Sequence, residues 1–124
     1  MPLPPSQLQV GERTVDDVTI LMLSGEITLD DGDLAYGRKI DELAGQQRIK
    51  ILVDLSDVTR IDSSGLGMMA AKVKEVRRMG GDVRLLHLTR RTHRLVATVK
   101  LTLVFEAFED EAMALRSFAL RPGA

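Results

Sequence analysis

Cysteine and tryptophan are absent from the 124 residues of this chain, and aromatic side chains are rare, with one tyrosine and three phenylalanines. Without cysteine the chain can form no disulfide and no thiolate metal site, and it has no cysteine nucleophile. So few aromatic rings do not make a stacking platform for single-stranded nucleic acid. With only two histidines and no spaced carboxylates beside them, the sequence predicts no zinc site either.

A long apolar run and a strong net charge are also missing. No segment approaches the roughly 20 apolar residues that cross a bilayer, and the first six residues lack the basic and apolar regions of a signal peptide. The formal net charge is −1, and 44% of the residues are hydrophobic. We therefore expect a cytoplasmic protein with no membrane span and no cofactor, folded as one domain around one core.

The small net charge hides an uneven distribution along the chain. Residues 1–59 hold five basic and eleven acidic side chains, whereas residues 60–100 hold ten basic and three acidic ones. Clustered Lys and Arg residues favour nucleic acid because they release counterions from phosphates. The near-neutral total and the scarcity of aromatic rings argue against direct nucleic-acid binding. We therefore interpret the basic residues as solvated helix faces or as a surface that steers an acidic protein partner.

Short apolar segments alternate with amphipathic ones along most of the chain. The patterns predict strands at 8–15, 18–24, 49–55, 83–88 and 103–105, and helices at 34–43, between the serines at 63–64 and the glycines at 80–81, at 90–99 and at 109–120. Such alternation calls for right-handed crossovers and an α/β fold: a mixed, mostly parallel central sheet of about five strands with about four packed helices. Residues 1–7, with three prolines, are predicted to be a flexible leader, and residues 8–124 the single domain.

The most informative segment is ILVDLSDVTRIDSSGLGMMAAK at 51–72, in which a hydrophobic strand, a hydroxyl-rich turn and an amphipathic helix follow one another. The turn places Ser63 and Ser64 at the start of the helix, where free backbone N–H groups favour a side-chain oxygen or an anion. Helix capping alone would explain serines at this position. The residues by themselves do not tell which serine caps the helix and which is exposed.

The residues beside the two serines have alternative interpretations. Asp62 either accepts backbone hydrogen bonds in the loop, orients a serine, or is a solvated turn residue. Gly65 and Gly67 allow close approach of a partner or of backbone, or serve local geometry. Leu66, between them, is either part of the core or a contact residue.

Enzymatic sites are weakly supported. A nucleophile elbow needs a glycine two residues before its serine, and Ile61 stands there. His87 is predicted in a strand and His93 in a basic helix, so a catalytic triad is not indicated. Gly65 and Gly67 lack a following Gly-Lys-Ser/Thr, which argues against a phosphate-binding loop. The sequence predicts no catalytic residue, and we do not expect the chain to be an enzyme.

Residues 53–67, VDLSDVTRIDSSGLG, resemble the signature of the STAS domain, the fold of bacterial anti-sigma factor antagonists. The likeness extends from about residue 18 to 118 and takes in LSGEI at 23–27, GGDVRL at 80–85 and FEAFEDEA at 105–112. It implies the STAS fold, with Ser63 as the serine that a partner kinase phosphorylates and Ser64 as the alternative. It also implies a docking loop for the partner, formed by Asp62, Ser63, Ser64, Gly65, Leu66 and Gly67.

The resemblance implies a protein that works by binding. The unphosphorylated form would bind an anti-sigma factor with serine kinase activity and so free a sigma factor. ATP-dependent phosphorylation of Ser63 would end that complex, and a serine phosphatase would restore it. The alternative is a STAS scaffold or adaptor subunit of a stress-signalling assembly or a lipid transporter. Nucleotide binding rests on the fold in general, and the sequence leaves open whether the chain forms a homodimer.

One stretch departs from the family pattern. Thr28 stands where many relatives carry an aspartate, so the role of that aspartate in partner or nucleotide contacts does not transfer to this chain. Asp30, Asp31 or Asp33 could supply a carboxylate from nearby, but we expect these residues to cap the first helix.

Overall fold

The computed structural model describes residues 8–98 and 104–119 of the chain. In chain order its elements are β1 (Leu8–Val15), β2 (Val18–Ile27), α1 (Gly32–Gly45), β3 (Lys50–Ile61), α2 (Ser63–Arg78), β4 (Asp82–Leu86), α3 (Arg90–Thr98), β5 (Ala107–Phe108) and α4 (Glu111–Ala119). The predicted leader at residues 1–7 lies outside the described residues, and the assignment of 8–124 to a single domain stays a prediction.

The five strands form one sheet in the order β1-β2-β3-β4-β5. β1 pairs with β2 in antiparallel fashion across a turn at Asp16, whose φ of 53° is left-handed, while β2 to β5 pair in parallel. The predicted fold class, a mostly parallel mixed sheet with four helices, is confirmed over the described ranges. Because β2 and β3 are parallel neighbours, they end at the same edge of the sheet, and the loops that lead into α1 and α2 lie side by side.

Helices cover both faces of the sheet, since successive side chains along a strand point to opposite faces. On the side of α1 and α2 the larger core contains Leu21, Val53 and Leu85 from the strands and Ile40 and Val73 from the helices. The smaller core, against α4, consists of Val18, Ile20, Leu52, Leu86, Ala114 and Phe118. The two cores fix α1 and α2 on one face and α4 on the other.

β3 is longer than predicted. The strand expected at 49–55 continues to Ile61, because the segment that suggested a turn stays paired with β2. Register shifts in that pairing, one between Met22 and Ser24 and one between Gly25 and Glu26, absorb the mismatch between the two strands. Val58 and Ile61 are buried, and their burial keeps this part of the strand on the core. The turn before α2 is therefore reduced to Asp62.

The last strand was predicted in the wrong place. Of the segment 103–105, residue 103 lies outside the described part, Val104 lies in a turn, and Phe105 is buried without strand pairing. β5 forms at Ala107–Phe108 instead, opposite Leu85–Leu86 of β4. An apolar run indicates burial, and a loop residue that packs on the core meets that condition as well as a strand residue does.

Candidate functional site

Asp62 is the N-cap of α2 and joins two loops at the edge of the sheet. Its backbone is extended, and its Oδ1 accepts a hydrogen bond from the backbone N–H of Gly65 at 2.8 Å. Its Oδ2 accepts a second one from the N–H of Leu29 at 3.0 Å, in the loop between β2 and α1. Of the interpretations open from the sequence, the structure thus supports the one in which Asp62 holds the loop by accepting backbone hydrogen bonds.

The charge of Asp62 is favoured by the same contacts. Partial burial works against ionisation, but the N–H donors of Gly65 and Leu29 and the nearby charge of Arg60 outweigh it, so the pKa of Asp62 lies below its usual value. The cap therefore carries a negative charge at neutral pH, at the positive end of the α2 dipole.

The two serines differ in exposure and in bonding. Ser63 is the first residue of α2 and is exposed, and its hydroxyl has no hydrogen-bond partner within the described residues. Ser64 is half-buried, and its Oγ donates a hydrogen bond of 2.7 Å to Oδ2 of Asp33. Asp33 is only 4% exposed, and its other carboxylate oxygen accepts the N–H of Leu34 at 2.7 Å. The structure thus leaves one hydroxyl free and holds the other.

Asp33 has a role at the site that the sequence left as the less favoured alternative. Asp30, Asp31 and Asp33 were expected to cap α1, with a carboxylate in place of the family's aspartate as the other possibility, and the hydrogen bond to Ser64 was not predicted. Asp31 at the N-cap makes no side-chain capping bond. One carboxylate oxygen of Asp33 accepts the backbone N–H of Leu34 in the first turn of α1, and the other accepts the hydroxyl of Ser64. The signal in the sequence is faint, because it consists of one aspartate among three, 31 positions from its partner.

The two glycines after the serines have different surroundings. A Cβ at Gly65 would lie 1.9 Å from the carbonyl oxygen of Ile27, so the close approach of β2 to α2 requires glycine there. A Cβ at Gly32, at the start of α1, would likewise lie 2.0 Å from the carbonyl oxygen of Glu26. A Cβ at Gly67 would have no neighbour within 4 Å among the described residues, and Gly67 is exposed. Intramolecular packing therefore explains Gly65 but not Gly67.

Leu66 belongs to the core. Its side chain is 1% exposed and packs in the larger cluster beneath α2, so the structure decides between the two interpretations left open by the sequence. Its side chain holds α2 on the sheet, and the docking loop at 62–67 stays a prediction. The exposed residues at this edge include Ser63, Gly67, Leu29, Asp30 and Leu34.

The two histidines lie apart from the serine contacts. His87 follows β4 with a φ of 60°, so its predicted place in the strand is wrong; the strand pairing ends at Leu86. Its Nδ1 lies 3.3 Å from a carboxylate oxygen of Asp54, and His93 is exposed on α3.

Over the described ranges no helix has the length and apolar content that a membrane crossing requires.

Comparisons with known proteins agree with this architecture. A family model described as STAS domain matches residues 11–114. The chain is 31% identical over 103 residues to a Thermotoga neapolitana protein whose name assigns it as an anti-sigma factor antagonist and a homologue of TM1081; the match covers 83% of this chain and 91% of the relative. It is 26% identical over 108 residues to the anti-sigma F factor antagonist of Paenibacillus polymyxa, covering 87% of this chain and 92% of the relative.

A solved structure gives the same fold. The Bacillus cell fate determinant SpoIIAA in its phosphorylated form superposes with a TM-score of 0.66 at 18% identity, covering 89% of this chain and 98% of the other. At that level of identity the likeness extends to the fold alone.

Proposed function

Since the chain belongs to the STAS-domain family, we propose that it is an anti-sigma factor antagonist that works through a phosphorylation-controlled partner switch. Unphosphorylated, it binds an anti-sigma factor with serine kinase activity and so frees a sigma factor in the cytoplasm. Transfer of the ATP γ-phosphate to Ser63 ends the complex, and a serine phosphatase restores it. The chain is a substrate of enzymes and not an enzyme itself.

One observation carries the choice of Ser63, namely the unequal environment of the two serines. A kinase must bring the acceptor hydroxyl into its own active site, and the exposed, unbonded Ser63 hydroxyl meets that requirement. Phosphorylation of Ser64 would break its hydrogen bond to Asp33 and set a dianion beside that buried carboxylate. The repulsion between like charges in a partly buried site disfavours that product.

The position of Ser63 also suits a switch that leaves the fold intact. Ser63 is the first residue of α2, where free N–H groups and the helix dipole accept an anion. A phosphate there adds about −1.5 to −2 charges at neutral pH. The added charge therefore acts on the docked partner, which must desolvate or repel it. The structure of SpoIIAA in a phosphorylated form supports the proposal by analogy of fold.

Intact-mass analysis after incubation with ATP and a candidate anti-sigma factor kinase tests the proposal. We expect one phosphate on the wild type and on Ser64→Ala, and none on Ser63→Ala. The phosphorylated wild type should then no longer bind the kinase in calorimetry. A phosphate that persists in Ser63→Ala would contradict the choice of serine. No phosphate at all, with a kinase that is active on another substrate, would contradict the switch and favour a constitutive scaffold.

A further inference from the structure

A groove runs between α1 and α2 and begins close to the two serines. The helices lie side by side in parallel, and three contacts with the same sequence offset mark their seam: Asp33 with Ser64, Gly37 with Met68, and Asp41 with Lys72. Successive contacts are four residues apart on each helix, which is about one turn, or roughly 5.4 Å along the axis. The groove therefore continues the surface that carries Ser63.

The groove has room for one large side chain. It encloses about 200 Å³ and is lined by Leu34, Gly37, Arg38, Asp41, Met68 and Lys72. Leu34 is 44% exposed and belongs to neither core cluster, so its side chain is available to line the groove, and Met68 supplies a second, adaptable apolar wall. Gly37 opens the floor, since a Cβ there would lie 2.9 Å from the Met68 sulfur. An apolar cavity of about 150 Å³ holds a benzene ring, so an aromatic or long aliphatic side chain fits.

The charges at the rim of the groove are not balanced. Lys72 pairs with Asp41 at 2.8 Å and with Glu75 at 3.0 Å, so the single positive charge at the far end of the groove is shared by two carboxylates. Arg38 is exposed and makes no ion pair with any residue of the described ranges. The end of the groove near Leu34 thus presents one unpaired positive charge beside an exposed apolar side chain, whereas the far end carries two carboxylates for one lysine.

We propose that this groove is a docking site for the protein partner of the switch, which inserts one large apolar side chain and places a carboxylate next to it against Arg38. The inference rests on the proposed function, in which that partner is the anti-sigma factor. The apolar side chain supplies affinity by filling the groove, and the charge pair fixes its orientation. Met68, which lines the groove, follows Ser63 by five residues on α2, about 7.5 Å along the helix axis.

Two surface variants and one matched control test the groove. Leu34→Ser and Arg38→Glu change exposed groove residues, whereas Arg116→Glu reverses an exposed arginine on α4, on the opposite face of the sheet. The probe is the kinase that phosphorylates Ser63 in the mass experiment, titrated by calorimetry without ATP. We expect Leu34→Ser and Arg38→Glu each to bind at least about tenfold more weakly, and Arg116→Glu to bind as the wild type does. Salt should weaken the wild-type complex more than the Arg38→Glu complex.

The outcomes separate this inference from the function on which it rests. Wild-type affinity in both groove variants overturns the groove as a docking site and leaves the switch intact. A wild type that does not bind the kinase contradicts the proposed function and the groove with it. Far-ultraviolet circular dichroism and thermal unfolding of each variant establish that a loss of affinity is not a loss of fold.

Discussion

Asp62 and Asp33 are two carboxylates that act on the same short loop in different ways. Asp62 accepts one N–H from α2 and one from the loop before α1, so it joins segments that are 33 residues apart. Asp33 accepts the hydroxyl of Ser64 and leaves that of Ser63 accessible. At the scale of single residues, one buried acceptor accounts for the different bonding of two adjacent serine hydroxyls.

The hydrogen bonds of Asp62 should make the fold sensitive to acid. Its pKa is lower in the folded protein than its usual value, so the stabilisation is present above the unfolded-state pKa and is lost as the pH falls through the folded-state pKa. Asp62→Asn keeps one acceptor oxygen for the N–H of Gly65 but loses the acceptor for the N–H of Leu29 and the negative charge at the start of α2. We therefore expect it to lower the free energy of unfolding near neutral pH by about 1 kcal/mol. Below about pH 4 the stability of the variant should fall less steeply than that of the wild type.

Urea unfolding at a series of pH values measures this effect. Asp57→Asn is the matched control, because Asp57 is an exposed aspartate on β3 that caps no helix. If both variants gave the same stability curve, the carboxylate of Asp62 would not be what holds the loop.

At the scale of elements, the last two residues of β2 lie in close contact with the first turns of both α1 and α2. Gly32 of α1 approaches the carbonyl oxygen of Glu26, and Gly65 of α2 approaches that of Ile27. These two approaches set the helices side by side and so create the groove between them. Gly67 lies half a turn further along α2 and has no such constraint among the described residues.

The same substitution at the two α2 glycines should have opposite effects on stability. Gly67→Ala should raise the free energy of unfolding by about 0.5–1 kcal/mol, because glycine in a helix interior is worse than alanine by that amount. Gly65→Ala should lower it by about 1–3 kcal/mol, because its Cβ would overlap the backbone of Ile27. Urea unfolding measures both changes, and a stability change of the same sign in both would contradict the packing described for Gly65.

Gly67→Ala also tests the proposed docking surface at this edge. If the partner approaches the exposed backbone of α2 closely, the added methyl group should weaken kinase binding in calorimetry while the fold becomes more stable. Binding as tight as that of the wild type would place Gly67 outside the interface.

The length of β3 and the position of β5 show what local patterns do not determine. Ser56 and Asp57 suggest a turn, yet β3 continues through them because β2 offers a pairing edge and the core takes up Val58. The helix α2, by contrast, was predicted correctly, because its apolar residues repeat at helical spacing and this spacing alone indicates the element. Strand limits depend on the neighbouring strand, which the segment itself does not encode.

At the scale of the whole molecule, the candidate site lies on one layer of the fold. The serines and the groove belong to the edge and face formed by α1 and α2, while α4 closes the opposite face of the sheet. A change of charge at Ser63 therefore alters one surface without touching either core.

Phosphorylation of Ser63 should accordingly leave the fold unchanged. We expect the phosphorylated protein to unfold at the same temperature as the unmodified one or slightly higher, with a gain of no more than about 1 kcal/mol from the helix N-terminus, partly offset by the charge of Asp62. Changes in the ¹H–¹⁵N correlation spectrum should be confined to the two loops and the first turns of α1 and α2. A lower unfolding temperature, or spectral changes across the sheet, would mean that the phosphate acts by refolding the chain.

The sequence by itself determined the α/β class, the four helices and the position of two serines at the start of α2, since these depend on periodicity and on capping preferences within a few residues. Only the tertiary structure decided that Ser64 is held and Ser63 is accessible, that Leu66 is core, that Gly65 is needed for close approach, and that a groove separates α1 from α2. The physical reason is the same in each case. These features arise from contacts between residues about thirty positions or more apart, and a local pattern carries no record of which distant side chain or carbonyl will lie against it.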